Sequence, residues 1–251
     1  VHELLFGPAD QQEEEEDQEQ VRGTSIKVLS QIAEYPFELI EERCESLGMD
    51  RSEELRARKD LEVQGLIEGV KVGARWQIYG LTAKGRSAAE ELGLTVHRFK
   101  SGLPHEFMVV RTERAVRACS SRISFVSAGE ELGSSGVQPD LVATIENEDG
   151  EVEHLAAFQI CWENKPDYEV QSVRRLLEVS QLDVVVVIAR NKGTAGRLTD
   201  ALEDAGIEVG GSERTGGQRA FGDEEQRAEV RVLAFQTAIH EDTDWTWLLQ
   251  L

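Results

Sequence analysis

The sequence predicts an α/β protein in two domains: a small α+β domain first, then a mixed sheet flanked by helices. Three observations predict it. Residues 23–93 carry three short helical patterns, two β-like runs and a further helix. Residues 105–206 read as helix, strand, strand, strand, helix, strand, helix. Between and before these stretches the composition shifts, as expected when 251 residues with 40% apolar content build more than one core.

Residues 1–22 are set apart as an acidic linker, because ADQQEEEEDQEQ has no apolar periodicity and cannot bury enough surface to order itself. The domain expected over 23–96 opens with SIKVLSQIAEY, in which Ile26, Leu29 and Ile32 form one stripe and Ser25 is a candidate cap. PFELIEERCESLGM follows Pro36 and stops at Gly48, with Phe37, Leu39, Ile40 and Cys44 as its burial candidates. DRSEELRARKDLEVQGLI starts on a capping box, Asp50 with a Glu three residues later. It is expected to turn Leu55, Leu61 and Leu66 inward and Arg51, Arg56, Arg58 and Lys59 outward. Two β-like runs, IEGVKV and RWQIYGLT, flank a glycine-containing turn and lead into a last helix.

Three helices followed by a two-stranded wing resemble a winged helix-turn-helix domain, and YGLTAKGRSAAEEL is similar to the wing-to-helix passage of its microbial members. The resemblance covers residues 23–93 and rests on the order of elements. It implies that the third helix enters the major groove of DNA and that the wing touches the backbone. By position, Arg51, Arg56, Arg58 and Lys59 would face DNA, with Lys71 and Arg75 in the wing. The competing reading pairs these cations with Glu53, Glu54 and Glu62 on a solvated face. Residues 22–96 hold 11 basic and 13 acidic side chains, near neutrality in a chain of net charge −21, and this enrichment favours nucleic acid.

The domain expected over 97–251 begins with a helix at HEFMVVRTERAVRACSSR and a strand at ISFVSA. LVATIEN, the tight turn at EDG and EVEHLAAFQICWENK then read as a β-hairpin. DYEVQSVRRLLEVSQ is helical, DVVVVIAR is a buried strand, and KGTAGRLTDALEDAG is a helix ending at glycine. AEVRVLAFQTAI fits a final strand or helix, and the tryptophans of DTDWTWLLQL are expected to complete a core or a dimer interface.

QICWENKPD interrupts its strand with charge. If the strand continues through it, Glu163 and Lys165 share one face with Gln159 and Cys161. Pro139-Asp140 opens the preceding strand, so antiparallel pairing brings Asp140 beside Glu163. Two adjacent carboxylates repel, and a shared proton or a divalent cation relieves them. Hard oxygen ligands suit magnesium, with manganese as a substitute. The metal keeps waters that can attack a phosphate, while Lys165 orients or deprotonates the water and offsets developing charge. The alternative is a surface Glu-Lys pair at a strand end.

Pro139, Asp140, Glu163, Asn164 and Lys165 together resemble the motif of the PD-(D/E)xK nuclease superfamily, over roughly residues 103–206. The resemblance implies a restriction-endonuclease-like core that cleaves phosphodiesters, with Asp140 and Glu163 on the metal and Lys165 acting on water. It also implies an acid on the preceding helix, Glu106 ahead of Glu113, and a polar residue on the following one, taken as Gln171. Joined to a winged helix, such a core is similar to replication-relaxation proteins of mobile elements, some of which keep the fold without clear cleavage. A non-catalytic DNA-binding or assembly module, a transcription regulator, or the C-terminal part of a DNA-translocating ATPase are the alternatives. DNA is the expected partner, cutting both strands of a duplex favours a homodimer, and any ATP-driven step needs a partner because no GxxxxGK[ST] loop is present.

The totals set the remaining bounds. The 48 acidic residues outnumber 27 basic ones, of which only seven are lysine, a balance similar to that of proteins from salt-loving microbes, whose cytoplasm screens charge within a few ångströms. Three widely spaced cysteines and five histidines without ligand spacing argue against a disulfide framework or a zinc site. No apolar run is long enough to span a membrane and no signal peptide is evident, so the cytoplasm is expected. Val1 in place of Met leaves a processed product or the tail of a longer polypeptide open.

Overall fold

The computed structural model describes residues 23–72, 76–127, 132, 138–162, 165–210, 228–239, 243 and 245–251. The chain divides into two compact units between Pro104 and His105, against the 96/97 boundary expected from the sequence. The acidic linker expected over residues 1–22 lies outside the described residues.

The first unit runs α1 (23–34), α2 (Ile40–Leu47), α3 (Arg51–Val63), β1 (Ile67–Val72), β2 (Trp76–Leu81) and α4 (Ala83–Glu91). Gly48 ends α2 at φ 62°, a backbone state that costs glycine nothing. Asp50 then caps α3: its carboxylate accepts from the amides of Ser52 and Glu53, and Glu53 reaches back to the Asp50 amide. β1 and β2 pair antiparallel, Ile67 opposite Leu81. Val28, Leu29 and Ile32 of α1 pack with Ala57, Leu61, Ile67 and Tyr79 into one core.

Two helices are rotated from their expected faces. Ile26 is 40% exposed and Val28 takes its place inside; Ser25 is no cap but a buried hydroxyl that donates to Asp60 at 3.1 Å. On α3 the buried row is Glu54, Ala57, Arg58 and Leu61, leaving Leu55 39% exposed. The cause is an ion network. Arg43 Nη1 donates to Glu54 Oε1 at 2.8 Å, Arg58 Nε lies 3.2 Å from both Glu54 oxygens, and Arg58 Nη1 donates to the Tyr79 hydroxyl at 2.6 Å. Arg43 and Glu54 are both 0% exposed. A buried ion must be paired, so these charges dictate which side of α3 turns in.

The LTAKG stretch is likewise set by specific contacts with the preceding hairpin. Thr82 caps α4 by accepting from the Gly85 amide, and its hydroxyl donates to the Gly65 carbonyl at 2.6 Å. A Cβ on Gly85 would stand 1.8 Å from the Leu66 carbonyl oxygen, so only glycine lets α4 start against the hairpin.

The second unit follows α5 (Leu103–Cys119) with β3 (Ile123–Val126), β4 (Leu141–Glu146), β5 (Val152–Cys161), α6 (Pro166–Leu177), β6 (Val184–Ala189), α7 (Lys192–Asp204), β7 (Glu229–Ala234) and α8 (Phe235–Ala238). The five strands form one mixed sheet in the order β3-β4-β5-β6-β7, antiparallel as far as β5 and parallel beyond it. Asn147 organises the β4–β5 turn, its side chain accepting from the amides of Asp149 and Glu151. β6 is buried at every residue, as an unbroken VVVVIA run in a covered parallel strand requires. Each such Val or Ile contributes about 1.5–3 kcal/mol by leaving water.

The C-terminal ambiguity resolves into a strand followed by a short helix. Trp245 joins the core, its indole donating to the Ala238 carbonyl at 3.0 Å, while the Arg231 guanidinium covers Trp247. Among the described residues, no helix is long and apolar enough to cross a membrane.

Candidate functional site

The end of β5 is where chemistry-bearing side chains of the second unit gather. Leu141 pairs with Phe158, so Asp140 falls opposite Gln159, and the Asp140 amide donates to the Phe158 carbonyl at 3.0 Å. Its carboxylate is fixed from two directions. The Ile160 amide donates to Oδ2 at 2.7 Å, and His105 Nε2, from the first turn of α5, lies 3.3 Å from Oδ1. His105 also donates to the Ile160 carbonyl. The bond to Asp140 raises the imidazole above its usual pKa; burial opposes this, and the Asp140 charge and the Ile160 carbonyl reinforce it.

Cys161 ends the strand one residue further and is buried. Burial pushes its thiol well above the ordinary range, helped by the Glu169 carboxylate that it bonds and by Asp140 nearby. Such a thiol stays protonated and is a poor nucleophile. Glu169, in the first turn of α6, is only 1% exposed. Asp140, His105, Cys161 and Glu169 therefore belong to one neighbourhood built from α5, β4, β5 and α6.

The structure corrects part of the expected arrangement. β5 stops at Cys161 and the chain bends at Trp162, so Lys165 is not a strand residue. It is instead the exposed N-cap of α6, with Pro166 in the first turn where a missing amide costs nothing. The alternation that set Glu163 and Lys165 on one strand face does not operate. Glu163 itself lies outside the described residues, as does Asn164. Gln171 is exposed, about 200° around α6 from Glu169, so the polar residue that α6 turns toward Cys161 is Glu169. Glu113 is bonded by Arg117 at 2.8 Å, two turns along α5 from His105, whereas Glu106 adjoins His105 and adds to its positive bias.

Glu169, His105 and the Ile160 amide were missed as site components. A signal existed for Glu169, which lies four residues before Val173 and seven before Leu176, on the apolar row that seats α6. An acid on that row has to be accommodated inside. Nothing in the residue order identifies an amide such as that of Ile160, because its role follows from strand register alone.

A cation would find hard oxygen here. Asp140 receives one hydrogen bond on each oxygen, and a carboxylate has about four acceptor positions, so each oxygen retains capacity for a metal. Among the described residues, no group of three or more His, Cys, Asp or Glu side chains is arranged to hold a metal ion.

In the first unit, Arg51, Arg56 and Lys59 are exposed on α3 and Lys71 is exposed on β1. Arg51 lies 3.5 Å from Glu41 in a solvent-exposed pair, which holds it only weakly. Arg58 is a correction: the Glu54 network buries it, and it cannot face DNA. Arg75 lies outside the described residues.

Comparison with protein-family models, curated proteins and solved structures returned no match to this chain.

Proposed function

We propose that the protein is a DNA-binding phosphodiesterase of the PD-(D/E)xK kind, in which the first unit engages duplex DNA and the second cleaves with magnesium or manganese. One observation carries the reading. Within a helix, three strands, a helix and a further strand, Asp140 sits at the start of β4 with its carboxylate pinned to the Ile160 amide near the end of β5, three residues before Glu163 and five before Lys165.

Asp140 and Glu163 would hold the cation, which when bound supplies an activated water and counter-charge for the phosphate. The chain's own residues do the rest. His105 and the Ile160 amide keep the Asp140 carboxylate in one orientation, as supporting groups around metal ligands do. Lys165, ahead of the first turn of α6, offsets charge building on the phosphate oxygens. Cys161 and Glu169 close the inner side and keep bulk water out. Arg51, Arg56, Lys59 and Lys71 supply phosphate contacts from α3 and β1, and Glu106 supports His105.

A second reading, a non-catalytic DNA-binding or assembly module, draws on Asp140 already being bonded on both oxygens. Incubating supercoiled DNA with the purified chain and manganese at high salt decides between them. The hydrolase reading expects nicking by wild type and its loss in Asp140→Asn and Lys165→Ala. Equal absence of nicking in all three, with duplex binding intact, leaves the module.

A further inference from the structure

The outer side of α6 carries a row of cationic, aromatic and hydroxyl side chains. Lys165, Tyr168, Ser172 and Arg175 follow at spacings of three, four and three residues, which sets them along one side of the helix over about 15 Å. Lys165, Tyr168 and Arg175 are exposed, Tyr168 by 61%. Asp167, Gln171 and Glu178 occupy the adjoining row and do not interrupt this one.

Several of the described arginines of this unit are engaged internally. Arg117 bonds Glu113, Arg122 bonds the Glu146 carbonyl, Arg174 bonds the Ala205 carbonyl, Arg190 stands over Trp162, and Arg231 bonds Glu229. Arg175 and Lys165 make no such contact with a described residue. In a chain with 48 acids, two cations left available on either side of an exposed ring present a local complement to a polyanion that carries aromatic faces.

We infer that this row is a track for an unpaired DNA strand, with Lys165 and Arg175 on phosphates, Ser172 donating to the backbone and Tyr168 stacked on a base. A duplex hides its base faces within the stack, whereas an unpaired strand offers one for each nucleotide, and it is a stacking surface that an exposed tyrosine supplies. The inference rests on the reading that this unit handles DNA, and it narrows the substrate to unpaired or frayed strands beside Asp140.

The test is fluorescence anisotropy of the full chain with an oligothymidylate and with a duplex of equal length, in EDTA so that cleavage plays no part. Tyr168→Ala is expected to weaken oligothymidylate binding about tenfold, and Tyr168→Phe to keep most of it. Arg175→Gln is expected to flatten the dependence of log K on log salt by about 0.7. Duplex binding by the first unit should be unchanged in all three. Thermal melts matching wild type verify that Tyr168→Ala is folded, and Tyr168→Phe and Arg175→Gln carry the decision if it is not. Single-strand affinity indifferent to these changes, or absent from wild type, overturns the track. Binding that depends on Tyr168 without nicking in manganese keeps the track and removes the hydrolase.

Discussion

Glu54 and Asp140 are carboxylates set against the interiors of their respective units, and the two units treat them oppositely. Glu54 lies between Arg43 and Arg58, every oxygen answered by a guanidinium, with Tyr79 closing the far side. Asp140 meets one imidazole and one backbone amide, keeps part of its surface open, and has no lysine or arginine ion pair among the described residues. The first arrangement consumes its charge in holding helices α2 and α3 to the hairpin. The second orients its carboxylate with one imidazole and one amide and leaves oxygen surface open to a further partner.

If that contrast is right, the largest mutational effect belongs to Glu54. Glu54→Ala would leave Arg43 buried with its ion pair removed, and a stranded internal charge costs about 3–5 kcal/mol. Urea denaturation should show the first unit losing most of its stability. Replacing Arg43, Glu54 and Arg58 together with apolar residues of similar volume should recover much of the loss, since paired buried ions are often no better than good packing. A loss below about 1 kcal/mol for Glu54→Ala would put the network in the class of surface pairs and erase the contrast.

For Asp140 the prediction is the reverse, a small stability effect and a large effect on ligand. His105→Ala frees Oδ1 and lets the carboxylate rotate, so calorimetric titration should show manganese affinity falling roughly 10- to 100-fold. His105→Gln, which restores a donor, should return part of it. Wild type that takes up no manganese removes the metal from this site altogether. Manganese binding indifferent to His105 shows that the carboxylate needs no orienting partner.

The same contrast explains what was legible in the residues beforehand. The αβββαβ order, the β4–β5 hairpin and the buried β6 could be read because alternation, turn chemistry and an uninterrupted apolar run each act over a few neighbours. Asp50 and Gly48 were equally local. Leu55 and Arg58 lie on the opposite sides of α3 from those their residue types suggest, because the partners that draw Arg58 inside, Glu54 and Tyr79, include one 21 residues away. Lys165 reads as a strand residue because nothing in CWENK marks where pairing stops. Pro166 does mark a boundary, and its preference for the first turn of a helix was the available clue. Residues drawn together by pairing register, such as Asp140 with Ile160, become visible only once the sheet is assembled.

The smallest expected effect separates exposed charge from both buried cases. Asp50 caps α3 in the open, and the hydroxyl and amide of Ser52 and the amide of Glu53 hold its carboxyl below the usual value. A group whose folded pKa is depressed stabilises above its unfolded pKa, near 3.9, and the contribution is lost as pH falls through the lower folded value. Melting of the first unit between neutral and strongly acid pH should therefore show a slight excess loss in wild type relative to Asp50→Asn, whose side chain caps the helix without titrating. Equal acid sensitivity of the two proteins would mean that the cap works through geometry alone.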